Sequence, residues 1–194
     1  MLDLTVVVPL FNEEESLPEL CAWVDRVCQS EGIAYEMVLV DDGSTDGSWD
    51  VLKGLSKDNK AITAVQFRRN QGKSEALHVG FARAKGSVVI TMDADLQDNP
   101  KEIYPLIDEL NKGYDVVSGW KKSRKDPFEK KVASKIFNFF VRIFSGLIIH
   151  DSNCGIKVFK REVTQMLTLY GGRHRYIPLL AHQKKFSISE IVVD

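Results

Sequence analysis

The sequence predicts an α/β fold, a Rossmann-like, mainly parallel sheet flanked by helices. Two patterns carry that expectation. Apolar, β-branched runs alternate with segments of helical period through the first two-thirds of the chain. Short polar clusters then follow three of those runs directly, at residues 12–13, 41–43 and 93–95. Strands joined by helices imply right-handed crossovers, so the strands pair in parallel. In sheets of that kind ligands gather beyond the carboxyl ends of the strands.

Residues 4–8 read as a fully buried strand bounded by Pro9. Ser16, Leu17, Pro18 and Glu19 have the form of a capping box with proline in the first turn, opening a helix to about residue 30. Residues 36–40 form a second strand and 46–57 a second helix, with Asp46 as its cap. Strand, helix and strand follow at 62–67, 73–85 and 87–92. Asn99, Pro100, Lys101 and Glu102 repeat the capping logic before a helix to about residue 112, and 115–118 is a further strand. Beyond Lys121 the pattern changes. Residues 121–131 are a basic loop, and 132–149 a long amphipathic helix with a polar stripe through Ser134, Lys135, Asn138 and Arg142 and phenylalanines on its other face. Short strands at 156–160 and 186–193 flank a helix at about 176–184. No repeat or linker interrupts the chain, so residues 1–194 are expected to form a single domain.

Composition narrows the partners. A formal net charge of −1 provides no global field for nucleic acid, so charge-driven binding falls to local patches. Three cysteines without disulfide or zinc spacing indicate a reducing, cytoplasmic compartment. The opening apolar run stops at Pro9 without a basic region before it, which is a strand and not a signal peptide. No run of about 18 uncharged apolar residues exists, so no transmembrane helix is expected within the chain.

The chemistry lies in the clusters. Asp93 and Asp95 stand at i and i+2 where a strand ends, so their carboxylates can converge on one side. A hard divalent cation, Mg²⁺ or Mn²⁺, would relieve their repulsion and clamp a diphosphate. Asp41, Asp42 and Gly43 allow a tight turn and offer carboxylates to a nucleoside. Phe11 and Glu13 can add an aromatic wall and a further carboxylate. The lysines and arginine at 121, 122, 124, 125, 130 and 131 suit a phosphate or a lipid headgroup, and the phenylalanine-rich helix suits core or a membrane interface.

In this order, the segments V-V-P-x-x-N-E, V-D-D-G-S-T-D-G-S, R-N-x-G-K (residues 69–73) and M-D-A-D-L-Q resemble glycosyltransferase family 2, with its GT-A fold. The M-D-A-D-L-Q-x-x-P run and D-x-x-C-G-I-K-V-F-K-R-E-V (residues 151–163) are most similar to polyprenyl-phosphate glycosyltransferases, the dolichyl-phosphate mannosyltransferase and bactoprenol glucosyltransferase group. The resemblance implies inverting, metal-dependent transfer of a hexose from a GDP- or UDP-sugar to a polyprenyl phosphate. It implies that Pro9, Phe11, Glu13, Val40, Asp42, Asp93, Ala94, Asp95, Gln97 and Lys121 bind the donor. Asp95 and Gln97, with Asp93, would hold Mg²⁺ or Mn²⁺. Lys130 and Ser134 would meet the acceptor phosphate. Phe11 replaces a common tyrosine, and Lys121 an arginine, which loses the bidentate fork.

Members of that family continue into a basic loop and often into transmembrane helices. The sequence is therefore expected to be the catalytic domain of a longer protein at the cytoplasmic face of a membrane. An alternative is a family 2 enzyme acting on a sugar hydroxyl, which needs a carboxylate base; Asp151 is the residue placed for that role. A non-catalytic nucleotide-binding protein is a further alternative. A nucleotidyltransferase is disfavoured, because the loop after the first strand is acidic.

Overall fold

Strand β1 (Leu4–Leu10) is buried along its whole length, and its pleat explains why it has no polar face. Leu4, Val6, Val8 and Leu10 point into one apolar cluster, and Val7 into another on the opposite side of the sheet. A continuous apolar run is what a central parallel strand covered on both faces requires. The computed structural model describes residues 2–122, 147 and 149–193.

The other strands are β2 (Tyr35–Asp41), β3 (Ile62–Gln66), β4 (Val88–Thr91), β5 (Val116–Lys121), β6 (Lys157–Lys160) and β7 (Ile188–Val193). They form one seven-stranded sheet in the order β3-β2-β1-β4-β6-β5-β7. All pairings are parallel except those of β6, which lies antiparallel between β4 and β5. Helices α1 (Leu17–Ser30), α2 (Ser48–Asp58) and α4 (Ile103–Asn111) cover one face. Helices α3 (Lys73–Arg83), α5 (Arg161–Met166) and α6 (Ile177–Gln183) cover the other. There Phe81 meets Phe159 edge-on, with ring centroids 5.6 Å apart.

Several local expectations need correction. Ser16 does not cap α1 with its side chain. Its hydroxyl donates to the Glu13 carboxylate at 2.7 Å, and this contact joins the β1–α1 loop to the helix start. Asn99 does cap, accepting from the Lys101 N–H at 3.0 Å, but it opens a 3₁₀ turn (Pro100–Glu102) that leads into α4. Helix α5 was not anticipated. Leu147 and Ile149, placed by periodicity at the end of a long helix, are buried and lie outside any helix. The other residues assigned to that helix, Ser134 among them, and Lys130 of the preceding loop lie outside the described residues.

At the amino-terminal edge of the sheet a buried polar knot closes the α3–β4 connection. Glu36 is 6% exposed. Its Oε1 accepts from the Thr5 hydroxyl at 2.8 Å and the Lys85 N–H at 2.7 Å, while Thr5 Oγ1 accepts from the Gly86 N–H at 2.9 Å. Burying a carboxylate this deeply is tolerable only with donors of this kind.

Candidate active site

The opposite edge of the sheet carries the predicted clusters. The sheet winds outward on both sides of β1: α1 carries the chain from β1 to β2 over one face, and α3 carries it from β3 to β4 over the other. A crevice opens at such a switch point. Three loops fill its rim.

The first loop leaves β1 with Asn12 in the left-handed region, at φ 57°, which asparagine tolerates better than most residues. It is tied to the loop after β2. Asn12 Oδ1 accepts from the Thr45 N–H at 2.8 Å, and the Glu13 N–H donates to Ser48 Oγ at 2.7 Å. Asp46 accepts from the Ser48 N–H and hydroxyl, at 3.0 and 2.6 Å, so it braces the start of α2 from one residue before the cap position.

In the second loop the two aspartates bond to backbone and side-chain donors. Asp41 accepts from the Ser44 N–H at 2.8 Å. Asp42 accepts from the Gln71 and Gly72 N–H groups at 2.7 and 2.8 Å, which pulls the β3–α3 loop towards the crevice. Gly43, at φ 74°, has no room for a Cβ, which would meet the Arg69 carbonyl carbon at 2.5 Å.

The third loop holds Asp93, Ala94 and Asp95. Asp93 Oδ1 pairs with Lys73 Nζ at 2.5 Å. Its N–H donates at 3.0 Å to Asp98, a carboxylate only 2% exposed. Asp98 also pairs with Lys121 Nζ at 2.8 Å, and Lys121 donates again to the Gln97 carbonyl at 2.8 Å. Asp98 and Lys121 therefore clamp both ends of the loop. Leu96 completes the turn at φ 61°. Gly155 lies against it, and a Cβ there would come within 2.6 Å of Asp98 Oδ2. Asp95 remains exposed, one oxygen accepting from the Gln97 N–H at 3.1 Å.

The loops enclose a cleft of about 220 Å³. Pro9, Phe11, Glu13, Asp42, Asp93, Ala94 and Asp95, each placed at the donor by the sequence, line it together with Leu10 and Lys73. Val40 is wholly buried in the core beneath, and Gln97 and Lys121 are not among the lining residues. Asp151 is buried away from the cleft lining, with one oxygen accepting from the Asn153 N–H at 3.1 Å. Lys73 and Asp98 are the site residues that sequence reasoning left without roles. Lys73 lay inside the R-N-x-G-K run, whereas nothing in the spacing separated Asp98 from a loop aspartate.

Among the described residues no group of three or more histidine, cysteine or acidic side chains forms a ready metal cage. The donor set nevertheless fits a hard divalent ion. Two carboxylates, Asp93 and Asp95, line one cleft, and ions such as Mg²⁺ take one or two carboxylates and complete their shell with water and substrate phosphates. The Gln97 amide would add a further oxygen donor. Lys73 balances the Asp93 charge.

This fold and this cleft place the chain in a family. It belongs to glycosyl transferase family 2, whose model matches residues 5–167, and its sheet and helices form a GT-A fold. The chain is similar to the undecaprenyl-phosphate 4-deoxy-4-formamido-L-arabinose transferase of Pectobacterium atrosepticum, with 39% identity over 193 residues, covering 99% of this chain and 58% of that protein. It is similar to the protein of the same name from Pseudomonas paraeruginosa, with 38% identity over 179 residues, covering 92% of this chain and 53% of that one. The chain thus spans somewhat over half the length of these relatives. Among solved structures, glucosyl-3-phosphoglycerate synthase from Mycobacterium tuberculosis in complex with UDP superposes with a TM-score of 0.76 at 20% identity, covering 98% of this chain and 69% of that one. A mannosyltransferase from Pyrobaculum calidifontis in complex with GDP-Man and Mn²⁺ gives 0.71 at 19%, covering 98% and 56%. Among the described residues no helix is long and apolar enough to cross a membrane.

Proposed function

We propose that this chain is the catalytic domain of an inverting hexosyltransferase that moves sugar from a GDP- or UDP-sugar to a polyprenyl phosphate at the cytoplasmic face of a membrane. The observation that carries this reading is the convergence of Asp42, Asp93, Asp95 and Lys73 on one cleft at the switch point of the sheet. The relatives named for undecaprenyl phosphate support the acceptor.

In this reading Pro9, Phe11 and Glu13 flank the nucleoside. Asp42 shapes its site through the Gln71 and Gly72 N–H groups. Asp93 and Asp95, with the Gln97 amide, would hold Mg²⁺ or Mn²⁺ at the diphosphate. When bound, the ion supplies positive charge for the departing nucleoside diphosphate. Asp98 and Lys121 keep the carboxylate loop in one geometry, so little reorganisation accompanies reaction. A phosphate monoester is ionised near neutral pH and attacks without a strong base. One phosphate oxygen bonds to the anomeric carbon as the carbon–oxygen bond to the diphosphate breaks, and the electron pair leaves with the nucleotide. Catalysis then rests on positioning and charge.

The test is calorimetric titration with GDP and UDP, with and without Mn²⁺, on the protein and on Asp95→Ala. The expected result is metal-dependent binding of one nucleotide, lost in the variant. Binding that ignores both the metal and Asp95 overturns the assignment of the diphosphate site.

A further inference from the structure

A segment far from the donor motifs is fastened to the helix that carries Lys73 into the cleft. The turn at residues 171–176 sits over the start of α3. The Gly171 N–H donates to Glu75 Oε1 at 2.9 Å, and the His174 N–H donates to Ser74 Oγ at 3.0 Å. The serine oxygen also lies 3.0 Å from His174 Nδ1. A hydroxyl has two lone pairs and one proton, so it can accept the backbone N–H and also donate to Nδ1; in that arrangement the ring proton of the neutral imidazole is on Nε2. The next residue along α3 from Ser74 is Lys73, which lines the cleft and pairs with Asp93. The turn is thereby fixed to the two residues that follow Lys73.

Its charge is one-sided. Residues 163–189 contain no aspartate or glutamate, and the turn itself carries Arg173, His174 and Arg175. Among the described residues neither arginine pairs with a carboxylate; Arg173 lies 3.9 Å over the Tyr170 ring, and Arg175 is exposed. Behind them Lys157 is buried, its ammonium donating to the Cys154 carbonyl. These cations are felt locally. Burial first, then Lys73, Arg175 and Lys157, bring the His174 pKa down to about 4, so the ring is neutral at neutral pH. Such surroundings repel a further cation and favour an anion. Lys121, the lysine expected at a phosphate, is instead occupied with Asp98 and the Gln97 carbonyl.

We propose that Arg173, His174 and Arg175, anchored on Ser74 and Glu75, form a binding site for the phosphate monoester of the acceptor, beside Lys73 of the cleft. The site is additional to the positions expected at Lys130 and Ser134. It deepens the acceptor half of the proposed function and rests on that reading. A phosphate monoester carries about −1.5 to −2 charges near neutral pH and presents several oxygens, which matches two guanidinium groups and one neutral N–H donor. The phosphate could belong to a lipid or to a soluble molecule, and the chemistry of the turn is the same for both.

The experiment compares the protein with Arg173→Ala/Arg175→Ala, His174→Gln and Arg175→Lys. Transfer is followed from the nucleotide-sugar whose nucleotide binds in the calorimetric titration. The acceptors are undecaprenyl phosphate in detergent, glycerol phosphate, and undecaprenol. The double variant should raise the KM for the phosphate acceptor about tenfold or more, and His174→Gln by less. The donor KM and nucleotide affinity should stay within about twofold, which also shows that the variants fold. Arg175→Lys should recover part of the loss. An acceptor KM unchanged in the double variant, with undecaprenyl phosphate used normally, overturns the site and leaves the proposed function standing. Donor and acceptor KM rising by one factor overturns it equally. Transfer by the unaltered protein to glycerol phosphate but not to undecaprenyl phosphate, weakened in the variants, supports the site and overturns the lipid acceptor. Transfer only to undecaprenol overturns both.

Discussion

Both edges of the sheet bury carboxylates, Glu36 at one and Asp41, Asp42 and Asp98 at the other, and they use them differently. At the amino-terminal edge Glu36 is met by one backbone N–H and one hydroxyl, with Lys85 Nζ 3.9 Å away. At the carboxyl edge Asp42 and Asp98 are satisfied in the same manner by backbone donors and Lys121. Asp95 is exposed, and Asp93 lines the cleft against a lysine side chain that a ligand can displace. A carboxylate bound by fixed backbone donors holds structure. One held by solvent or a movable ammonium is left for a ligand. Charge alone does not separate the two groups; burial does, with Asp42 and Asp98 enclosed, Asp93 half-buried and Asp95 exposed.

The sharpest way to test that contrast is Asp95→Ala. Turnover should fall about 10³-fold, the scale of losing one principal electrostatic stabiliser. Urea unfolding should change little, since the side chain is exposed. Chelation of divalent metal should reproduce the activity loss in the unaltered protein. Asp98→Ala should blur the contrast by striking both properties. It removes the carboxylate joining Lys121 to the Asp93 N–H, and about 3 kcal/mol of stability should go with it. Activity should fall as well, because the Asp93–Asp95 loop loses its clamp. Glu36→Ala at the far edge should cost about 2 kcal/mol of unfolding free energy and leave kcat within about twofold. A kcat loss there as large as at Asp95 would refute the division between the edges.

A further expected effect concerns pH. The folded-state pKa of His174 is about 4, against the ordinary 6.5. Between those values the unfolded chain binds the extra proton, so stability rises with pH. The contribution is complete above about pH 6.5 and is lost as pH falls towards 4. Urea midpoints at pH 7 and pH 4.5 should therefore differ less in His174→Gln than in the unaltered protein. An equal difference in both would show that the imidazole is not held neutral by the fold.

Much of the carboxyl edge was readable in advance because its features are local. A strand followed by Asp-Asp-Gly or Asp-Ala-Asp presents carboxylates by the geometry of the strand end, whatever the rest of the chain does. Seven of the ten residues assigned to the donor line one cleft for that reason. The two kinds of helix start behaved differently. Asn99 capped as expected because its partner is two residues away. Ser16 did not, because Glu13 offers its hydroxyl a carboxylate that the capping pattern ignores.

The amino-acid sequence by itself determined the alternation of strands and helices, the buried character of β1 and the order of the acidic loops, since periodicity and short turns act over a few residues. Only the tertiary structure decided that β6 enters the sheet antiparallel between β4 and β5. It also decided that Lys73 pairs with Asp93 and Lys121 with Asp98, and that His174 comes to rest on Ser74 from 100 positions away. Those partnerships depend on where the crossovers bring chain segments together, and the energy of a single ion pair or hydrogen bond leaves no period or spacing in the sequence by which to find it.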